Sequence, residues 1–114
     1  MVKYCKDMRT EIKKEVRGGQ GQFETRHLLE PAETLDKCSL CSRMTLLPGV
    51  SIGEHPHSPD AEIYYCLSGE LTVNDNGVDR VLHAGDIMFT GGGQFHSAAN
   101  RSSEPVEMLA IVIA

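Results

Sequence analysis

From Gln22 onward the chain breaks into short strand-like runs separated by turn residues, and no long run of helical periodicity interrupts them. The runs are Phe23–Leu29, Ser39–Leu47, Ile63–Leu67, Glu70–Asn74, Val78–Leu82, Asp86–Thr90, Phe95–Ala99 and Val106–Ile113. Asn76 followed by Gly77 marks a hairpin between two of them. Short strands at regular spacing favour a closed or double-sheet all-β domain. With 114 residues there is room for one core, and with no Trp that core must be built from Leu, Ile, Val, Met and Ala. Before Gln22 the pattern changes. Met1 to Val16 are ambiguous, since Met8, Ile12 and Val16 have helical spacing over only a short run, and Arg17-Gly18-Gly19-Gln20-Gly21 follows as a breaker. That glycine stretch lacks the Lys and Ser or Thr of a phosphate loop, so it is a turn and not a nucleotide site. The expected organisation is an N-terminal extension over residues 1–21 and a barrel over 22–114.

Four side chains stand out within the strand-rich part: His55, His57, Glu62 and His96. Residues two apart on a strand share a face, so His55 and His57 can converge on one ion, whereas a helix would splay them. Pro56 between them keeps His55 extended and suits a strand end or edge. Ser58 to Ala61 form a turn, after which Glu62 opens the next strand and brings a carboxylate back beside the imidazoles. Alternation from Glu62 puts Tyr64 and Cys66 on its face and Ile63, Tyr65 and Leu67 on the other. Tyr64 is therefore the candidate substrate-binding residue, competing with a role as a core aromatic with a satisfied hydroxyl. Arg43 is a weaker candidate for holding a carboxylate, against a place on the outer surface. His27 and His83 are read as structural or solvent-facing.

Glycines frame these ligands at fixed distances. Gly49, five residues, His55-Pro56-His57, four residues, Glu62, six residues and Gly69 resemble the first cupin motif at every defined position. Gly85, five residues, Gly91-Gly92-Gly93, two residues, His96, three residues and Asn100 resemble the second, with Gly91 where that family usually has proline. This departure removes a fixed φ from the turn before His96. The resemblance implies a double-stranded β-helix, or jelly-roll barrel, with the four ligands meeting inside it. It also implies one divalent transition metal per chain, Mn or Fe first, with Ni, Co or Zn as other choices for mixed nitrogen and oxygen ligation. Three neutral imidazoles and one carboxylate leave such a site positive, which favours small anionic or chelating molecules. Related cupins include decarboxylases, dioxygenases, isomerases and lyases. A non-catalytic binding or sensing module is the alternative.

Charge and cysteine usage narrow the remaining possibilities. A net charge of −5 and no basic cluster argue against nucleic acid, and Lys13, Lys14 and Arg17, interleaved with Glu11 and Glu15, are expected to form a solvated face. The apolar terminal run Met108–Ala114 is too short to span a bilayer and is expected to be a buried strand. Lys3, Lys6 and Asp7 occupy the place of a signal peptide's apolar region, so a cytoplasmic location is expected. Cys38 and Cys41 form a CxxC, but residues three apart on a regular strand face opposite ways, so the thiols are expected not to pair or to chelate. Cupin barrels commonly pair through a sheet, which makes a homodimer the expected assembly.

Overall fold

The computed structural model describes residues 1–114, and its regular structure is all β apart from three short 3-10 turns. The strands are β1 (Arg9–Lys14), β2 (Gln22–His27), β3 (Cys38–Leu46), β4 (Ser51–Pro56), β5 (Ala61–Ser68), β6 (Leu71–Asp75), β7 (Val78–Leu82), β8 (Ile87–Thr90), β9 (Phe95–Ala99) and β10 (Val106–Ile113). They form two antiparallel sheets, one of six strands in the order β1-β2-β3-β10-β5-β8 and one of four in the order β4-β9-β6-β7. The eight expected runs all appear as strands, and the segment holding His55 supplies β4.

Alternation decides which side chains enter the core. Along β10, Val106, Met108, Ala110 and Val112 are buried, while Glu107, Leu109, Ile111 and Ile113 are only partly covered on the other face. Leu46 from β3, Leu71 and Val73 from β6, and Ala98 from β9 meet them, so both sheets close on one apolar cluster. Full burial of a side chain the size of Leu46, Leu71 or Met108 contributes about 2 kcal/mol each. The β6–β7 hairpin turns through Asn76 and Gly77, both at positive φ, the pairing a two-residue turn demands. Gly69 ends β5 at φ 84°, where an added Cβ would lie 2.5 Å from the Pro105 carbonyl oxygen, so the motif glycine serves both conformation and space.

One expectation needs correction, that Cys38 and Cys41 face opposite ways, and the N-terminal residues, whose pattern is ambiguous, form a strand. Residues 9–14 are not helical: β1 pairs residue by residue with β2, and Ile12 points outward with 53% of its surface exposed. Backbone pairing to an open sheet edge outweighed a helical spacing of three apolar residues. The β3–β10 register shifts between Val112 and Ile113, placing Cys41 opposite Ile111 and Cys38 opposite Ile113. This β-bulge at Ser39 turns Cys38 to the same face as Cys41, contrary to the alternation expected of a regular strand. All four cysteines are nonetheless free thiols. The turn before His96 is also tied down despite Gly91, because the His57 amide donates to the Gln94 carbonyl and the Gly93 amide to the His57 carbonyl.

Candidate metal centre

The two segments bearing the candidate ligands lie side by side. β4 pairs with β9 so that His55 stands opposite His96, while His57 follows β4 and Glu62 enters on β5 from the other sheet. A register shift between Ile52 and His55 inserts one extra residue into β4. Without this bulge, Ile52 facing inward would put Glu54 inward too; with it, Ile52 and His55 are both buried and Glu54 is exposed. His55, His57, Glu62 and His96 are all buried, and one ligand atom from each lies within 4.8 Å of the others.

The outer nitrogen of each imidazole is already engaged. His55 Nδ1 donates to the Gly53 carbonyl at 2.7 Å and His57 Nδ1 to the Asp60 carboxylate at 2.9 Å. His96 Nδ1 is hydrogen-bonded to Thr90 Oγ1 at 2.9 Å. A carbonyl or carboxylate partner fixes the Nδ1–H tautomer and leaves an Nε2 lone pair. The three Nε2 atoms point to a common place: His57 and His96 are each 3.0 Å from Glu62 Oε1, His55 is 3.6 Å from it, and His55 and His96 are 3.0 Å apart. Ligand atoms held at about 2.1 Å from one ion and at right angles to each other are about 3.0 Å apart. The donor set and its spacing therefore fit a divalent ion.

Electrostatics point the same way. Burial alone would raise the Glu62 carboxyl, but in the metal-free cluster the imidazoles of His55, His96 and His57 around it, wherever one carries a proton on Nε2, bring it down to about 2. The carboxylate is thus ionised and ready to ligate. Burial, and next the Glu62 charge, hold the Tyr64 hydroxyl well above its ordinary pKa, so Tyr64 stays protonated. Its ring stacks on His96 with centroids 4.7 Å apart and planes 10° from parallel, which fixes the imidazole's orientation from the side.

A cavity of about 250 Å³ leads to this cluster and is lined by His55, His57, Glu62 and Tyr64 with Asp60, Lys13 and Arg17 among the other walls. A larger hollow of about 600 Å³, lined by Ser51, Gly53, Ser97 and Asn100 among others, contains none of the four candidate ligands. Arg43 is not in the site: it lies beside Glu24, Arg26 and Glu107 and pairs with Glu107. His83 is exposed near Glu70. His27 is buried, but Glu11 and Ser42 take both of its ring nitrogens. Sequence reasoning missed Asp60 and Thr90, the supports of His57 and His96, and missed Lys13 and Arg17 at the cavity. Asp60 lies three residues from His57 and was legible as a neighbour; Thr90 meets His96 only because β8 lies across from β9's end of the barrel.

The model of the Cupin domain matches residues 42–112, well over half of the chain and spanning all four candidate ligands. The chain belongs to the cupin family. This cupin is 44% identical over 98 residues to an oxalate-binding protein of Thermotoga maritima, an alignment covering 86% of this chain and 81% of that one. It is also 31% identical over 85 residues to the tetracenomycin polyketide synthase protein TcmJ of Streptomyces glaucescens, covering 75% of this chain and 57% of the relative. Among solved structures, a predicted oxalate decarboxylase from Thermotoga maritima superposes with a TM-score of 0.93 at 41% identity, covering 99% of this chain and 98% of the other. Residues before position 42, including β1 and the glycine turn, are thus shared with a solved relative although the family model does not span them.

Proposed function

We propose that this cupin binds oxalate, or a similarly small dicarboxylate, through one divalent metal held by His55, His57, Glu62 and His96. The observation that carries this reading is the convergence of three Nε2 atoms and an ionised carboxylate at the end of a cavity of about 250 Å³. The likeness to an oxalate-binding protein over most of both chains supports the ligand class. Mn or Fe is the first choice of metal, since mixed imidazole and carboxylate ligation suits both. The ion would supply positive charge and open coordination positions for anionic oxygens. Around it, the chain's own residues hold the imidazoles in one tautomer, keep the carboxylate ionised and shield the site from bulk water.

Titration calorimetry with oxalate against metal-loaded and metal-free protein tests the proposal. Binding at least a hundredfold tighter to the loaded form is expected, because the ligand's oxygens replace metal-bound water. Equal affinity for both forms would leave any metal with a structural role only.

A second reading, turnover of the bound anion, draws on one feature: the protonated Tyr64 hydroxyl beside Glu62 can donate a proton. Product analysis under air and under nitrogen separates oxygen-dependent chemistry from decarboxylation. If the hydroxyl is the donor, Tyr64→Phe slows turnover while metal content is unchanged; a binding module gives no product in either atmosphere.

We also propose a homodimer formed by two copies of the outer face of the six-stranded sheet. Leu109 and Ile111 on β10 are only partly covered there, and Ile87 and Phe89 of β8 are 63% and 60% exposed. Light scattering at about twice the 12.5 kDa chain mass is expected, and a value at the chain mass would overturn the dimer. Four free thiols fit a reducing compartment, and we infer a cytoplasmic location. No helix is long and apolar enough to cross a membrane.

A further inference from the structure

Arg17 lies in a turn whose backbone is constrained at several points. Glu15 and Arg17 both adopt left-handed conformations, with φ 45° and 54°, which non-glycine residues reach only at a cost of about 1 kcal/mol or more each. The turn is seated directly on β4. An added Cβ at Gly53 would lie 2.0 Å from the Arg17 carbonyl oxygen, and one at Gly19 would lie 2.2 Å from the Ser51 carbonyl oxygen. Two hydrogen bonds complete the seat, from the Ser51 amide to the Gln20 carbonyl and from the Gln20 amide to Ser51 Oγ, at 3.0 and 2.9 Å. Gly53 is also the residue whose carbonyl accepts from His55 Nδ1. The same strand segment therefore orients a candidate metal ligand and positions Arg17.

The arginine is unusual in its pairing as well. Arg9, Arg26, Arg43, Arg80 and Arg101 each have a carboxylate oxygen at 3.9 Å or closer, and Arg17 has none. It lines the cavity above the His and Glu cluster together with Lys13, which is likewise without a carboxylate partner. Asp60 is the one acidic side chain on the cavity wall besides Glu62, and His57 already occupies it. Arg17 is exposed, and its left-handed backbone and the contact between two glycine-bearing segments hold it at the cavity mouth.

We propose that Arg17, seated on β4 by the Gly19–Gly53 contact, is a ligand-recognition residue that receives the outward-facing carboxylate oxygens of an anion bound at the His55, His57, Glu62 and His96 cluster. A planar guanidinium offers two parallel N–H donors to a carboxylate, and Lys13 adds a point charge beside it. The N-terminal segment then belongs to the site. The ligand class is selected twice: by chelating oxygens at the inner end and by a second anionic group at the mouth. This assignment rests on the metal-dependent binding of oxalate proposed above.

The test compares two probes by calorimetry on metal-loaded wild type, Arg17→Gln, Arg17→Lys and Gly53→Ala. Oxalate carries outward-facing carboxylate oxygens; acetohydroxamate chelates through adjacent carbonyl and N–O oxygens and has no carboxylate. Arg17→Gln is expected to weaken oxalate at least tenfold and acetohydroxamate less than twofold, with metal content unchanged. Arg17→Lys should recover part of the oxalate affinity, since charge returns without the paired donors. Gly53→Ala, which cannot keep the turn in place, should weaken oxalate in the same direction. Oxalate bound equally by wild type and Arg17→Gln overturns the role of Arg17 alone, and so does an equal loss of both probes. No oxalate binding by metal-loaded wild type overturns the metal-dependent reading and this assignment with it.

Discussion

His27 and His96 are both buried histidines on strands of one barrel, yet they do different work. His27 spends both ring nitrogens on protein partners, Ser42 at Nδ1 and Glu11 at Nε2, so its polarity is satisfied where it stands. His96 gives Nδ1 to Thr90 and turns Nε2 toward two other candidate ligands, Glu62 and His55. Burial therefore does not distinguish a structural histidine from a candidate ligand. What distinguishes them is the number of other donors aimed at the same point as the second ring nitrogen.

Removing His96 or His55 by substitution with Ala should reduce bound metal from about one ion per chain to near zero, while His27→Ala should keep the ion and lose stability instead, because it strands Ser42 and Glu11 without their shared partner. Elemental analysis of the three purified variants, with thermal unfolding alongside, reads both outcomes. Metal lost from His27→Ala as readily as from His96→Ala would erase the distinction.

A smaller effect sharpens the role of Glu62. Its carboxyl titrates at about 2 in the folded protein against an ordinary 4.5, so the stability it confers is complete above pH 4.5 and is lost as the pH falls toward 2. A shift of this size corresponds to about 3 kcal/mol. Urea unfolding of metal-free protein between pH 2 and 5 should show that slope, and Glu62→Gln should flatten it. An unchanged slope in the variant would mean that other carboxylates carry the acid sensitivity.

Thr90→Val tests the support behind His96. Losing the Nδ1 partner while keeping the side-chain shape should weaken metal affinity by about tenfold, without abolishing binding. A competitive chelator titration measures this, and wild-type affinity in the variant would show that the Tyr64 stack alone orients the ring.

The same contrast explains what could be read from sequence. His55, His57, Glu62 and His96 were legible because glycines fix the turns around them and two-residue alternation fixes which face the first pair shares. Alternation fails across a bulge. In β3, the extra residue at Ser39 brings Cys38 onto the face of Cys41, and nothing in Cys38-Ser39-Leu40-Cys41 signals it. In β4, the bulge between Ile52 and His55 left the histidine pair intact because it falls just before them. The strands from β2 onward followed from hydrophobic alternation and turn residues, whereas β1 did not, since an edge strand is held by backbone pairing and Ile12 faces outward. Arg17 was read as part of a solvated charged face, and it is exposed. Its place at the cavity depends on a contact with Gly53, more than thirty residues away, which no local pattern encodes.

Three imidazoles and one carboxylate converge on one point, where a metal would be held. X-ray absorption at the metal edge, on protein purified without chelator, tests it most directly. A first shell of nitrogen and oxygen scatterers at about 2.1 Å is expected, with the imidazole outer-shell pattern of three histidines and no sulfur. A shell containing sulfur would move the site to the Cys38 and Cys41 face, and protein without bound transition metal after growth in Mn- and Fe-supplemented medium would contradict the claim.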